Sequence, residues 1–160
     1  MPTVMTLVYP LDRQRQEVLL GLKKLRIGAD TYVGFGGRVK EGEAVSQAAA
    51  RELQEECGLI VALGQLQQVG WLLIHNPRYP ELGDFEVHVF TVSEWEGKPR
   101  DSDEMVPCWF PLGQPLGGRM RESERYWLPA VLNGRYVRAE IWYDKAEQLV
   151  SMTISIKALH

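Results

Sequence analysis

Three glutamates, Glu52, Glu55 and Glu56, crowd the end of the stretch AVSQAAARELQEECGL, with Arg51 beside them. Carboxylate oxygens gathered this closely suit a hard divalent cation such as Mg²⁺ or Mn²⁺. Their spacing sharpens the point. On a helix turning about 100° per residue, Val45, Ala48, Ala49 and Leu53 form an apolar side, and Gln47, Ala50 and Gln54 face away. Glu52 and Glu56 fall within the apolar sector and Glu55 at its edge, so the carboxylates are expected to point inward. Glu52 and Glu56 are then a like-charge pair four residues apart, which destabilises an isolated helix. Anions are also disfavoured in the C-terminal half of a helix, and partial burial adds a desolvation penalty. Arg51 balances one charge, through Glu43 or a helix glutamate. A surface helix laced with Arg–Glu pairs would explain neither the inward angle nor the loop that precedes it.

That loop, GFGGRVKEGE at 34–43, contains Gly34, Gly36, Gly37 and Gly42. Residues without Cβ let the backbone approach a ligand closely, and a carbonyl there can aim at the same cation. It lacks the Gly-Lys-Ser/Thr of a phosphate-binding P-loop and the GxGxxG of a dinucleotide site.

The elements that must hold these residues can be read from pattern. TVMTLVY (3–9) and EVLLGLKK (17–24) read as strands around the polar turn LDRQRQ. A helix from about Ala44 to Cys57 ends at Gly58 as a C-cap. QQVGWLLIH (67–75) and FEVHVFTVSEW (85–95) are β-rich and flank a proline-bearing loop, NPRYPELGD. Phe85, Val87, Val89 and Thr91 alternate with Glu86, His88, Phe90 and Val92, the mark of a half-buried strand. VPCWFPL (106–112) is short and apolar, and PLGQPLGG continues as loop. SERYWLPAVLNG (123–134) places Trp127, Leu128, Val131 and Leu132 at helical spacing, and VRAEIWY and QLVSMTISI read as closing strands. Strands outnumber helices, which predicts an α/β fold with a mixed sheet sandwiched between helices.

The chain has 160 residues, which fits one domain spanning 1–160 with a core that needs no disulfide or metal staple. A net charge of -3 argues against a nucleic-acid polymer as partner. No apolar run reaches membrane-spanning length and no signal peptide precedes the first strand, so a cytoplasmic setting is expected. Cys57 and Cys108 form no CxxC pair and read as two reduced, buried thiols. His75, His88 and His160 lie too far apart for a local metal motif and read as strand or terminal residues.

Gly37, then Glu43, then Arg51-Glu52-Leu53-Gln54-Glu55-Glu56-Cys57-Gly58-Leu59 resembles a complete Nudix box. The resemblance implies a Nudix α/β/α sandwich and metal-dependent hydrolysis of a nucleoside diphosphate linked to another group. It makes Glu52, Glu55 and Glu56 metal ligands together with the Gly36 carbonyl, and has Glu43 and Arg51 brace loop and helix. VLLGLKK, GFGGRVKEGE, VHVF, SDEM, PCWF and YWLP extend the likeness to the MutT-homologue branch, the oxidised purine nucleoside triphosphatases. On that resemblance Glu104 is a further metal or base carboxylate, its alternative being an ordinary acidic loop residue. Lys23 and Arg38 face the phosphates, or are ordinary solvated cations. Thr6, Phe35, Gly37 and Glu124 complete the substrate-binding set.

Two departures concern the base. That branch carries asparagine before Gly-Phe-Gly-Gly and Trp-Pro-Asp-Asp before Tyr-Trp, where this chain has Val33 and Arg121-Glu122-Ser123-Glu124. Val33 cannot hydrogen-bond a base edge, so weaker base discrimination is expected. The expectation is therefore a Mg²⁺- or Mn²⁺-dependent hydrolase, monomer or homodimer, that converts a nucleoside 5′-triphosphate, such as 8-oxo-dGTP, to monophosphate and pyrophosphate. Glu56 or Glu52, with Glu104 as rival, takes the water's proton. Two alternatives stand beside it: a Nudix hydrolase of nucleotide sugars or dinucleoside polyphosphates, and a non-catalytic nucleotide-binding module.

Overall fold

The computed structural model describes residues 2–24, 30–113 and 119–159. His160 and the middle of the PLGQPLGG loop, 114–118, lie outside the described residues. Among the described residues, eight strands and two α-helices follow in chain order: β1 Thr3–Asp12, β2 Glu17–Lys23, β3 Tyr32–Val33, α1 Val45–Cys57, β4 Gln67–His75, β5 Phe85–Val92, β6 Met105–Pro111, α2 Glu124–Leu132, β7 Arg135–Tyr143 and β8 Leu149–Ala158. The strands form one mixed sheet in the order β3-β2-β1-β5-β4-β7-β8, with β6 paired to β2 off that path. The β1–β5 and β4–β7 ladders are parallel and the others antiparallel.

β1 is the spine of the molecule. Along one edge it pairs with β5 from Thr3 to Pro10. On the other edge only Leu11 and Asp12 meet β2. The rest of that edge is taken by the glycine-rich loop, which bridges Val8 to Phe35 and Met5 to Arg38. Side chains alternate along the strand. Tyr9 and Leu11, with Met5 and Leu7 packed alongside, therefore join a core under α2, whereas Val8 joins a second core under α1. The two helices thus cover opposite faces of the sheet, as the alternation in the sequence requires.

The same geometry corrects two local expectations. β5 was expected to be half-buried, and it is as far as Val89, but Phe90 and Val92 are buried too because α1 covers their face. Cys57 is buried and its thiol is pushed up to about 11 by that burial. Cys108 is only partly buried, because β6 has β2 as its sole described partner strand. His75 and His88 sit on β4 and β5, bonded to Glu140 and Glu86 respectively. No described helix is long and apolar enough to cross a membrane.

Candidate active site

α1 places its carboxylates as the periodicity requires. Ala48, Ala49 and Leu53 are buried, Glu56 is buried with them at 4% exposure, and Gln47, Gln54 and Glu55 are exposed. Gly58, at φ +83, ends the helix, and its N–H donates to the Gln54 carbonyl. Arg51 ties the assembly together. Its guanidinium donates to Glu43 Oε2 and Oε1 at 2.8 and 3.0 Å, to Glu52 Oε1 at 2.8 Å and to the Arg38 carbonyl at 3.1 Å. The side-chain hydrogen bond from Arg51 holds the Glu43 carboxyl well below the usual range. Loop and helix are clamped as one unit.

The loop glycines are required by how closely the chains approach. A Cβ on Gly36 would lie 1.7 Å from the Thr6 carbonyl oxygen, because the loop backbone runs against β1. A Cβ on Gly37 would lie 2.6 Å from the Glu52 carboxyl. The Gly36 N–H donates to Glu56 Oε1 at 2.7 Å, and the Thr6 N–H donates to the Gly37 carbonyl at 2.9 Å.

Electrostatics mark Glu56 as the most strained of these groups. Burial pushes its carboxyl up to about 8 against the pull of the Gly36 N–H, and the charges of Glu52 and Glu104 push the same way as burial. Burial raises Glu52 as well, with Arg51 opposing and Glu55 and Glu104 assisting. Glu104 is presented by a turn in which Ser102 Oγ accepts the N–H groups of Glu104 and Met105 at 3.3 and 3.1 Å.

A cleft of about 550 Å³ brings most of the sequence-predicted residues together. Thr6, Lys23, Gly36, Gly37, Arg38, Glu52, Glu55, Glu56, Glu104 and Glu124 all line it; Glu52, Glu56, Glu104 and Lys23 act on one another and mark one end, whereas Glu124 is coupled to Arg121 and marks the other. Phe35 does not line the cleft. Its ring is fully buried in the α1-side core, close to Gly21, because the Val8–Phe35 bridge turns that residue away from the ligand side of the loop.

At the far end the walls are Leu72, Ile74, Phe85, Val87 and Trp127, an apolar slot with polar groups at its rim. Burial pushes the Glu124 carboxyl up to about 8, with Arg121 opposing. Asn76 is 4% exposed and was not anticipated. Its Nδ2 donates to Glu147 Oε1 at 3.2 Å, its Oδ1 accepts the Arg78 N–H at 3.2 Å, and Arg121 reaches the same Glu147 oxygen at 3.5 Å. An asparagine before a proline signals a turn; nothing local to it says that the turn folds back over a cleft.

The carboxylate end fits a divalent cation by donor chemistry. Its side-chain donors are all hard oxygens, and burial raises two of them, Glu52 and Glu56, the first against the pull of Arg51. Among the described residues no three acid, histidine or cysteine side chains already stand placed to hold a metal ion. Arg51 and the Gly36 N–H each hold one oxygen, the Oε1, of Glu52 and Glu56.

Compared with protein families, the sequence matches the NUDIX domain over residues 1–131. It is 38% identical over 149 residues to an oxidized purine nucleoside triphosphate hydrolase of Mus musculus, covering 93% of this chain and 92% of that protein. The protein of the same description from Danio rerio is 39% identical over 132 residues, 81% of this chain and 79% of the relative. Among solved structures, a MutT protein from Bacillus halodurans superposes with a TM-score of 0.81 at 22% identity, over 96% of this chain and 97% of that one. At that identity the likeness shows the fold.

Proposed function

Because this chain belongs to the NUDIX family and is a nucleoside triphosphate hydrolase by its relatives, we propose that its cleft converts oxidised purine nucleoside triphosphates to monophosphate and pyrophosphate. The observation that carries the reading is the division of the cleft. One end gathers Glu52, Glu56 and Glu104, and the other is an apolar slot closed by a buried carboxyl, Glu124. A triphosphate with a flat base matches both ends at once.

Each residue has a physical task in this reading. Glu52, Glu55, Glu56, Glu104 and the Gly36 carbonyl would hold Mg²⁺ or Mn²⁺. The cation, when bound, supplies positive charge to the bridging phosphates and lowers the pKa of water. Lys23 and Arg38 line the same end and add positive charge toward the phosphates. Gly37 and Thr6 keep the loop flush with β1, so that no side chain stands where the phosphates enter. The α–β phosphate bridge breaks as water attacks, and the water's proton passes to a carboxylate of the cluster. Glu56 is the first candidate, because it is buried at the cleft wall, the Gly36 N–H holds only one of its oxygens, and burial pushes its carboxyl up to about 8. Glu52 and Glu104 are the alternatives. We read residues 1–160 as one hydrolase domain, a monomer or homodimer, acting in the cytoplasm on a small nucleotide rather than on a polymer or a membrane.

The test is a panel of nucleoside triphosphates, nucleotide sugars and dinucleoside polyphosphates, assayed with Mg²⁺ and scored for pyrophosphate against phosphate. Pyrophosphate release from an oxidised purine triphosphate is the expected result. Turnover confined to nucleotide sugars would refute it.

A further inference from the structure

The turn between β7 and β8 carries a side chain that its backbone does not favour. Glu147 sits at φ +59, in the left-handed region that glycine adopts freely and a long side chain rarely does. The turn itself does not need that side chain. Asp144 organises it: its Oδ1 accepts the N–H groups of Ala146 and Gln148 at 2.8 and 3.0 Å, and its own N–H donates to the Gln148 carbonyl. Gln16, at φ +56 between β1 and β2, keeps its side chain on its own turn, where it donates to the Arg13 carbonyl. Glu147 instead reaches two other segments of the chain.

Its Oε1 accepts Asn76 Nδ2 at 3.2 Å and Arg121 Nη2 at 3.5 Å, and its Oε2 lies 3.9 Å from Arg78 Nε. Asn76 and Arg78 follow β4 and Arg121 precedes α2, so one carboxylate joins three stretches distant in sequence. Asn76 and Arg121 line the cleft, whereas Glu147 stands outside it. A carboxylate only accepts, and here it faces an amide and two guanidinium groups that all donate. Without it Arg78 and Arg121 would be like charges with no shared counter-ion. Each partner is also held on its own side. Asn76 Oδ1 accepts the Arg78 N–H, Arg78 Nη1 donates to the Lys145 carbonyl, and the Arg121 guanidinium lies over the Tyr143 ring, 5.6 Å from its centroid. Glu147 is the group that touches both sides.

We infer that Glu147 is a positioning residue for the cleft, its carboxylate fixing Asn76 and Arg121 from outside as one rim of the end away from the carboxylate cluster. The inference rests on the triphosphate hydrolase reading above, in which that end takes the base. A rim set before substrate arrives lowers the cost of binding and leaves the attack of water untouched, so its loss is read in KM and not in kcat. Substitution Glu147→Gly removes the carboxylate and relieves the backbone at once. The melting temperature of the nucleotide-free protein should therefore stay level or rise. KM for 8-oxo-dGTP and dGTP should rise by about 3- to 10-fold, with kcat, and KM for base-free deoxyribose 5-triphosphate, within about twofold of wild type. Asn76→Ala should raise KM for the same two nucleotides, and the double variant should fall short of the product of the two single effects, because both break one contact. A lower melting temperature with an equal KM rise on all three substrates would make Glu147 a residue of the fold alone. Unchanged KM in the glycine variant, or single effects that multiply in the double variant, would mean that it positions nothing in the cleft; each of these results overturns the inference by itself. A wild-type protein inactive on every triphosphate would instead overturn the functional reading, and this inference with it.

Discussion

Glu56→Gln should make the metal-free protein more stable while abolishing its turnover, and the stabilisation should depend on pH in a defined direction. The buried Glu56 carboxyl titrates near 8 in the folded chain against an ordinary value of 4.5. Between those values the folded protein keeps a proton that the unfolded chain has lost. Wild-type stability therefore falls as pH rises from 4.5 to 8, at about 1.4 kcal/mol per pH unit, and levels off above. A glutamine carries no such proton, and its amide oxygen can still accept from the Gly36 N–H. The variant should thus match the wild type near pH 4.5 and exceed it by on the order of 3 kcal/mol at pH 7. In a domain of this size that is a rise of roughly 6 to 12 °C in melting temperature. Differential scanning calorimetry of both proteins in excess chelator, from pH 5 to pH 9, measures it. Glu124 titrates in both proteins and cancels. In Mg²⁺ the wild type should regain stability that the variant does not, and kcat of the variant should fall by about 10²- to 10⁴-fold. Parallel melting curves across pH, or a variant less stable at every pH with activity retained, would show that the carboxyl is not strained and that Glu56 is structural.

Chelation should remove turnover of the wild type, and Mg²⁺ or Mn²⁺ should restore it; full activity in excess EDTA would exclude a metal-dependent reaction. Gly36→Ala should prevent folding or destabilise by several kcal/mol, since its Cβ would meet the Thr6 backbone at 1.7 Å. Gly37→Ala should fold but lose activity, because the group it meets is the movable end of Glu52; circular dichroism with a pyrophosphate assay separates the two. Wild-type preference for 8-oxo-dGTP over dGTP should fall between about tenfold and a thousandfold in kcat/KM, the upper bound being roughly 4 kcal/mol. A larger preference would mean that the missing contact at Val33 is fully replaced.

The carboxylate end of the site was legible because its signal is local. Glu52 and Glu56 fall on the apolar side of α1 by helical periodicity alone, and the structure places Ala48, Ala49, Leu53 and Glu56 on one buried face. Phe35 was assigned wrongly to the ligand side, because a Gly-Phe-Gly-Gly run says that backbone comes close to something without saying where the ring points. Only the bridge between Val8 and Phe35 decides that, and it joins segments distant in sequence. The base end was less legible for the same reason. Arg-Glu-Ser-Glu-Arg looks like a solvated charge run, yet Ser123 and Glu124 are buried, with Ser123 Oγ at 2.5 Å from Tyr143 Oη on β7. Asn76 lies on a loop that alternation cannot place.

The two ends of the cleft solve opposite problems with the same group. Glu56 and Glu124 are both buried, and burial is the first cause of the rise in each, so both carry a proton near neutrality when the cleft holds no ligand. What differs is the company each keeps. Around Glu56 stand further acids, Glu52 and Glu104, whose charges push its pKa up with burial; on the proposed function a cation bound there would displace the proton. Around Glu124 the nearest named charge is Arg121, which pulls the other way, and the aromatic neighbours Tyr9 and Trp127 are neutral. Among the described residues no second acid figures among the charges that act on Glu124. A neutral carboxyl in that setting keeps both a donor and an acceptor, which is what a base edge needs. On the proposed function, one residue type would serve as a cation ligand or as a neutral hydrogen-bonding group according to whether its neighbours are acids or aromatics.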